Sequence, residues 1–262
     1  MITTFADLTL GAMLRLTAIP DDMDALDRQV AILAVLSGCT EDEILALPLA
    51  EYSRRVAASR FLDRDLPQRL PQRSYKCGPF TLVPVNDFKK ITTAQFVDFK
   101  TFTDQAGGDE RKLSALTVEL LSCMLTPEGR DYCEGYDPID VQSAIRDHLR
   151  ADDAVALSAF FFEQMDALVT AYPGIFPPDR TPEQDDGHPG EDPGADAQPE
   201  GPDEYTSRWG WISLVDTVSE TQRCSWDEVW RKPMVETLNT FAYAKDRNAR
   251  REDEMEKYKR TH

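Results

Sequence analysis

Residues 39 to 52 read Cys39-Thr-Glu-Asp-Glu-Ile-Leu-Ala-Leu-Pro-Leu-Ala-Glu-Tyr52, and residues 224 to 237 read Cys224-Ser-Trp-Asp-Glu-Val-Trp-Arg-Lys-Pro-Met-Val-Glu-Thr237. The two stretches align without a gap: cysteine, hydroxyl, Asp-Glu, a β-branched residue, proline and glutamate recur at the same offsets. Thr40 and Ser225 are N-cap residues by type, and Glu43 and Glu228 stand three positions on, so each pair can close a capping box over the orphan amides of a first helical turn. Cys39 and Cys224 precede the caps, where a hydrophobic staple would face Ile44 and Val229, which makes these thiols small apolar groups. Pro48 and Pro233 end the short helix, because the residue before a proline leaves the α region, and they are expected as the first residue of the next helix. Glu51 and Glu236 fall in that helix's first turn, where the macrodipole favours negative charge. The unit predicts a capped short helix, a corner and a longer helix, used twice.

Working outward, the expected fold is mainly α. A helical N-terminal domain of residues 1–172 carries a small β-hairpin near 74–84, residues 173–205 form an acidic disordered linker, and residues 206–262 form a Trp-rich helical module with a charged C-terminal helix. Asp21 and Asp22 are placed to cap a helix through Met23, Leu26, Val30 and Leu33, with Gly38 beyond its end. Gly78-Pro79 between Ser-Tyr-Lys-Cys and Phe-Thr-Leu-Val reads as a two-stranded hairpin. Thr92 to Gln95 resembles a capping box ahead of Phe96, Phe99 and Phe102, and Gly107-Gly108 breaks that helix. Leu113 to Leu125 forms another helix, Asp137-Pro138 starts the helix of Val141, Ile145 and Leu149, and a long one runs from about Asp152 to Tyr172. The linker is read from composition alone: it is rich in Pro and Gly, and residues 177–204 hold ten acidic residues against one Arg.

Composition narrows the function classes. A net charge of −18 disfavours a phosphate backbone as partner, so no nucleic acid is expected. No apolar run approaches the roughly 18 residues of a membrane span, and the first residues lack a signal peptide's basic and apolar regions, so the expected address is a cytoplasm. Five cysteines without a CxxC pair fit a reducing compartment.

Candidate catalytic groups are sparse. His148 lies between Asp147 and Leu149 on an expected helix, with no nucleophile placed by any motif; His188 sits in the linker and His262 ends the chain. Cys123 and Cys133 are spaced too far apart for a zinc pair, and Asp152-Asp153 reads as a helix start rather than a metal site. No phosphate loop, dinucleotide fingerprint, HExxH or GxSxG occurs, so no enzyme and no cofactor are expected. Trp209, Trp211, Trp226 and Trp230 are all the tryptophans of the chain. With Phe241 they are either the core of a small module or a surface that receives an amphipathic helix.

Four segments together resemble a known family: Leu26-Asp-Arg-Gln-Val-Ala-Ile-Leu33 running into Thr40 to Tyr52; Thr92-Thr-Ala-Gln-Phe-Val-Asp-Phe99; Pro127-Glu-Gly-Arg-Asp-Tyr132 with Gly135-Tyr136-Asp137 and Phe160-Phe-Phe162; and Trp226-Asp-Glu-Val229 through Pro233 to Leu238-Asn239 and Tyr243-Ala-Lys-Asp246. The pattern is similar to tail assembly chaperones of tailed bacteriophages. The resemblance implies a non-enzymatic protein of the host cytoplasm that binds the tape-measure protein, keeps it soluble until tail-tube subunits polymerise around it, and is often made as short and frameshift-extended forms. The alternative it leaves open is a structural virion component, such as a neck or tail-completion protein, using the same helical surfaces.

Overall fold

The computed structural model describes residues 1–176 and 204–261. Among these the chain is mainly helical, with a small antiparallel sheet. Helices α1 (Leu10–Thr17), α2 (Ala25–Ser37), α3 (Glu41–Leu45) and α4 (Leu49–Ser59) come first, followed by strands β1 (Tyr75–Cys77) and β2 (Phe80–Pro84). Helices α5 (Thr93–Ala106), α6 (Glu110–Ala115) and α7 (Thr117–Met124) lead into β3 (Leu125–Pro127). Then come α8 (Pro138–His148), α9 (Ala151–Thr170), α10 (Glu204–Gln222), α11 (Trp226–Arg231) and α12 (Met234–Thr261). Residues 177–203, most of the expected linker, lie outside the described residues.

Two compact units emerge: Met1–Asn86 with Asp98–Gln164, and Asp87–Val97 with Met165–His262. Each unit holds one copy of the repeat. Both capping boxes form: the Thr40 and Ser225 hydroxyls accept the N–H of the glutamate three residues on at 3.3 Å, and Glu43 and Glu228 accept the cap N–H in return at 2.8 and 2.7 Å. The prolines stand one position earlier than expected. Leu49 and Met234 open the second helices, and Pro48, with ψ of 142°, caps from outside, its carbonyl taking the N–H of Glu51 and Tyr52 at 2.9 Å. Thr40→Ala and Ser225→Ala should each cost about 1 kcal/mol in urea unfolding, and an unchanged midpoint in both would contradict the capping role.

The repeat extends upstream of the stretch that announces it. At the same offset Val30 and Leu33 of α2 correspond to Val215 and Val218 of α10, and all four are buried. The helix ends correspond too: Gly38 and Arg223 take left-handed φ of 65° and 55°, and the N–H groups of Cys39 and Cys224 reach back to the Ala34 and Ser219 carbonyls at 3.1 Å. This is a Schellman-type closure in both, with an arginine standing where glycine is preferred. The helix starts correspond as well, for Gly210, which kinks α10 at φ 30°, ψ −109°, answers to Ala25, the first residue of α2.

In the first unit, Val30, Leu33 and Ala34 enclose Ile44 with Cys39, Leu47, Tyr52 and Val56, which confirms the staple role of the thiol. A second cluster joins Leu8, Ala12, Leu36 and Ala151, with Phe5 meeting Phe61 edge-on at 5.0 Å. The cap of α2 is Asp24, which accepts the Leu26 N–H at 2.9 Å; Asp21 instead pairs with Arg28 at 3.1 Å. Gly78, at φ 55°, turns the expected hairpin, in which Tyr75 faces Leu82 and Cys77 faces Phe80. The sheet has a third strand the sequence reading missed. β3 pairs Leu125 with Pro84 and Pro127 with Leu82, so the single helix expected over Leu113 to Leu125 is two helices followed by a strand. Asp137 caps α8 with Pro138 next, as read.

The second unit is built on α10, α11 and α12, whose Leu214, Val215, Val218, Val229, Met234 and Leu238 are buried. Segment Asp87–Val97 belongs to it. Thr92 bridges Pro233, Met234 N–H donates to the Ile91 carbonyl at 2.7 Å, and Thr93 N–H to the Lys232 carbonyl at 2.8 Å. Thr92 and Gln95 close the expected capping box at 3.1 and 3.2 Å. Gly174 and Phe176, read as the head of the linker, also belong here: the Gly174 carbonyl takes Lys245 Nζ at 2.9 Å, and Phe176 lies 6.0 Å from Phe96.

Candidate functional site

The tryptophans of the second unit divide between interior and surface. Trp211, one residue past the kink, meets Phe96 edge-on at 5.5 Å and Phe176 at 6.1 Å, so its ring serves the fold. Trp230 and Phe241 are half-buried along the same bundle. Trp209, Ile212 and Trp226 are each 42% exposed, a large area for apolar side chains of this size. Ile212 and Asp216 lie one turn apart on α10, and the Trp226 indole N–H donates to Asp216 Oδ1 at 3.3 Å. That bond fixes the Trp226 ring beside α10, giving a surface of preset aromatic and aliphatic groups. Asp227 and Glu228 on α11 and Glu220 on α10 make its surroundings acidic. Such a surface suits the apolar stripe of a helix carrying basic flanks.

No protein-family model, curated protein or solved structure matches the chain. What it binds therefore has to follow from its own surfaces. No helix among the described residues is long and apolar enough to cross a membrane.

The remaining clusters of polar groups lie in the first unit. At the start of α9, Asp152 and Asp153 are almost completely buried. Arg150 grips Asp152 with two bonds of 3.0 and 2.7 Å, Arg69 reaches it at 2.8 Å, and Gln72 Nε2 donates to Asp153 at 3.1 Å. These carboxylates tie the proline-broken segment before β1 to the head of α9. His148 is exposed beside them, on a cavity of about 340 Å³ that Arg69, Gln72, Tyr75, Arg150 and Asp153 share. Its imidazole covers the hairpin turn, where a Cβ on Gly78 would come within 2.8 Å of it. A larger groove of about 890 Å³ runs along α1, α6 and α8. Arg15, Arg111 and Arg146 line it together with Asp21, Glu110 and Asp147, so its charge is balanced.

One cluster gave no sequence signal. The Tyr132 hydroxyl donates to Asp98 Oδ2 at 2.8 Å and lies against the thiols of Cys123 and Cys133. Burial pushes the Cys123 thiol up to about 12 and raises Cys133 as well, so both stay protonated at neutral pH and are poor nucleophiles and metal ligands. No group of three or more side chains suited to a metal ion occurs among the described residues. Partial desolvation raises the Asp98 carboxyl from its ordinary value, although the residue is exposed at the surface, against the smaller lowering by Tyr132. The folded state then holds the proton more tightly than the unfolded chain. Stability from this group is highest below the unfolded pKa near 3.8 and falls as pH rises through the folded value. Asp98→Asn should flatten that acid-side fall in urea midpoints taken between pH 4 and 7, and an unchanged slope would remove Asp98 as its source.

Proposed function

We propose that the protein is a non-catalytic assembly chaperone of the phage tail type, which holds the tape-measure protein soluble in the host cytoplasm until tail-tube subunits enclose it. The observation that carries the reading is the exposure of Trp209, Ile212 and Trp226 on the second unit, with Trp226 held by Asp216 one turn from Ile212. A tape-measure chain presents long apolar helical faces, and a rigid aromatic surface at the end of a small helical bundle can cover them. The net charge of −18 keeps the complex dispersed while apolar surface is exchanged between the partners. The buried carboxylates of the first unit, being committed to arginines, fit a structural role better than proton transfer.

Co-expression with the tape-measure candidate of the same genome tests this. The intact chain should raise the partner's soluble yield and co-purify with it. Trp209→Ala with Trp226→Ala should weaken the complex by about 30-fold or more, the scale of a hot-spot pair. Retention of full binding by that double variant would remove the Trp face from the mechanism. Stoichiometric presence of the chain in purified particles would favour a structural virion component instead.

A further inference from the structure

The two copies of the repeat differ in what covers their corners. In the second unit the corner is closed by Asp87–Val97: besides the backbone bonds of Ile91 and Thr93, the Thr93 and Thr237 hydroxyls meet at 2.8 Å, and Met234, Thr237 and Leu238 are fully buried. Phe96, one helical turn further on, caps Trp211. Among the described residues no segment bonds to the same corner of the first unit. Leu49, the counterpart of Met234, is 81% exposed; Leu45, the counterpart of Trp230, 62%; and Leu26, the counterpart of Trp211, 57%. Ala46, Pro48 and Ala50 are exposed between them, so the run Leu45 to Ala50 shows solvent an almost continuous apolar surface in a strongly charged protein. The main-chain groups correspond as well. Leu49 N–H and the Leu47 carbonyl, which answer to the Met234 N–H and Lys232 carbonyl that bind the covering segment, have no hydrogen-bond partner among the described residues.

We propose that the Leu45–Ala50 corner is a docking face for a segment of a different protein that is extended for a few residues and then turns into a helix. Its chemistry is that of the internal cover: an aliphatic residue whose carbonyl accepts from Leu49 N–H, two hydroxyl-bearing β-branched residues of which the second donates its N–H to the Leu47 carbonyl, and an aromatic one turn into the helix. The combination supplies main-chain bonds for affinity and two side-chain contacts for specificity, as in strand addition at a sheet edge. Copy two has Arg231-Lys232 where copy one has Ala46-Leu47, so the occupant of the first corner is uncharged where it crosses the proline. Nothing in this rests on the tape-measure reading or on the exposed tryptophans.

The probe is the chain's own cover, a fluorescein-labelled, end-capped peptide of residues 87–106, titrated into the full-length protein with anisotropy as the readout. Saturable binding in the micromolar range is expected, lost by tenfold or more in Leu45→Glu with Leu49→Glu, and absent when Ile91→Asp is made in the peptide. Both leucines are exposed, so the double variant should keep the wild-type circular dichroism and melting temperature. No saturation up to about 1 mM, where affinity is only about 4 kcal/mol, overturns the proposal. So does equal binding by the double variant, which would mean exchange into the second unit's own site. A concentration-dependent dimer in light scattering that the double variant abolishes would make a second copy the occupant, and would overturn the proposal as stated.

Discussion

Phe96→Ala should cost about 3–5 kcal/mol, the range for truncating a fully buried phenylalanine. The ring is 0% exposed and packs against both Trp211 and Phe176, so its loss leaves a cavity with two aromatic walls that belong to two separate stretches of chain. Trp211 sits on α10 and Phe176 on the turn after α9, and no continuous backbone can collapse to fill the gap. Urea unfolding followed by tryptophan fluorescence reads both effects together: an earlier midpoint, and a red shift of native emission as Trp211 gains water. A loss below about 1 kcal/mol would mean that the Asp87–Val97 segment is not integral to the second unit.

Asp152→Ala is the second large effect. It removes the acceptor of three short bonds from arginine and one from the Asp153 N–H, and leaves Arg69 and Arg150 facing Asp153 alone. Breaking a buried ion pair costs about 3–5 kcal/mol, and the low end applies here because both guanidiniums are about one-third exposed and water replaces part of what is lost. Asp152→Asn should fall between wild type and alanine, since the amide keeps an acceptor oxygen but not the charge. Limited trypsin digestion gives an independent readout, because Arg64, Arg69 and Arg73 flank the segment this pair secures. Faster cleavage there in Asp152→Ala is expected; an unchanged pattern would show that the prolines alone hold the segment.

What could be read from the sequence was local. The capping boxes, the Gly78 turn, the Asp137-Pro138 start and the mainly helical class follow from residues within four positions of one another, where short-range sterics and hydrogen bonds decide the outcome. What could not be read was pairing at a distance. β3 looks like the end of a helix because Leu125 continues the apolar period of α7, and only its bonds to β2 make it a strand. Nothing around Ile91 announces that its carbonyl belongs to Met234. The tryptophans were recognised as a group, but which ring turns inward depends on Phe96 and Phe176, far away in the chain. A signal did exist for the longer repeat: carrying the offset one helix upstream aligns Val30 and Leu33 with Val215 and Val218, although the cap residues there, glycine and arginine, disguise the match.

The far half of α12 has a different dependence from the first half of the same helix. From Asn248 to Arg260 every residue is exposed, and ion pairs one turn apart, Arg250 with Glu254 and Glu256 with Arg260, brace the helix. Such solvent-exposed pairs are weak, and salt screens them within about 10 Å at 0.1 M. Four turns of helix are thereby tied to the ionic strength of the medium: concentrated electrolyte loosens them turn by turn, while the apolar-packed first half of the same helix is untouched.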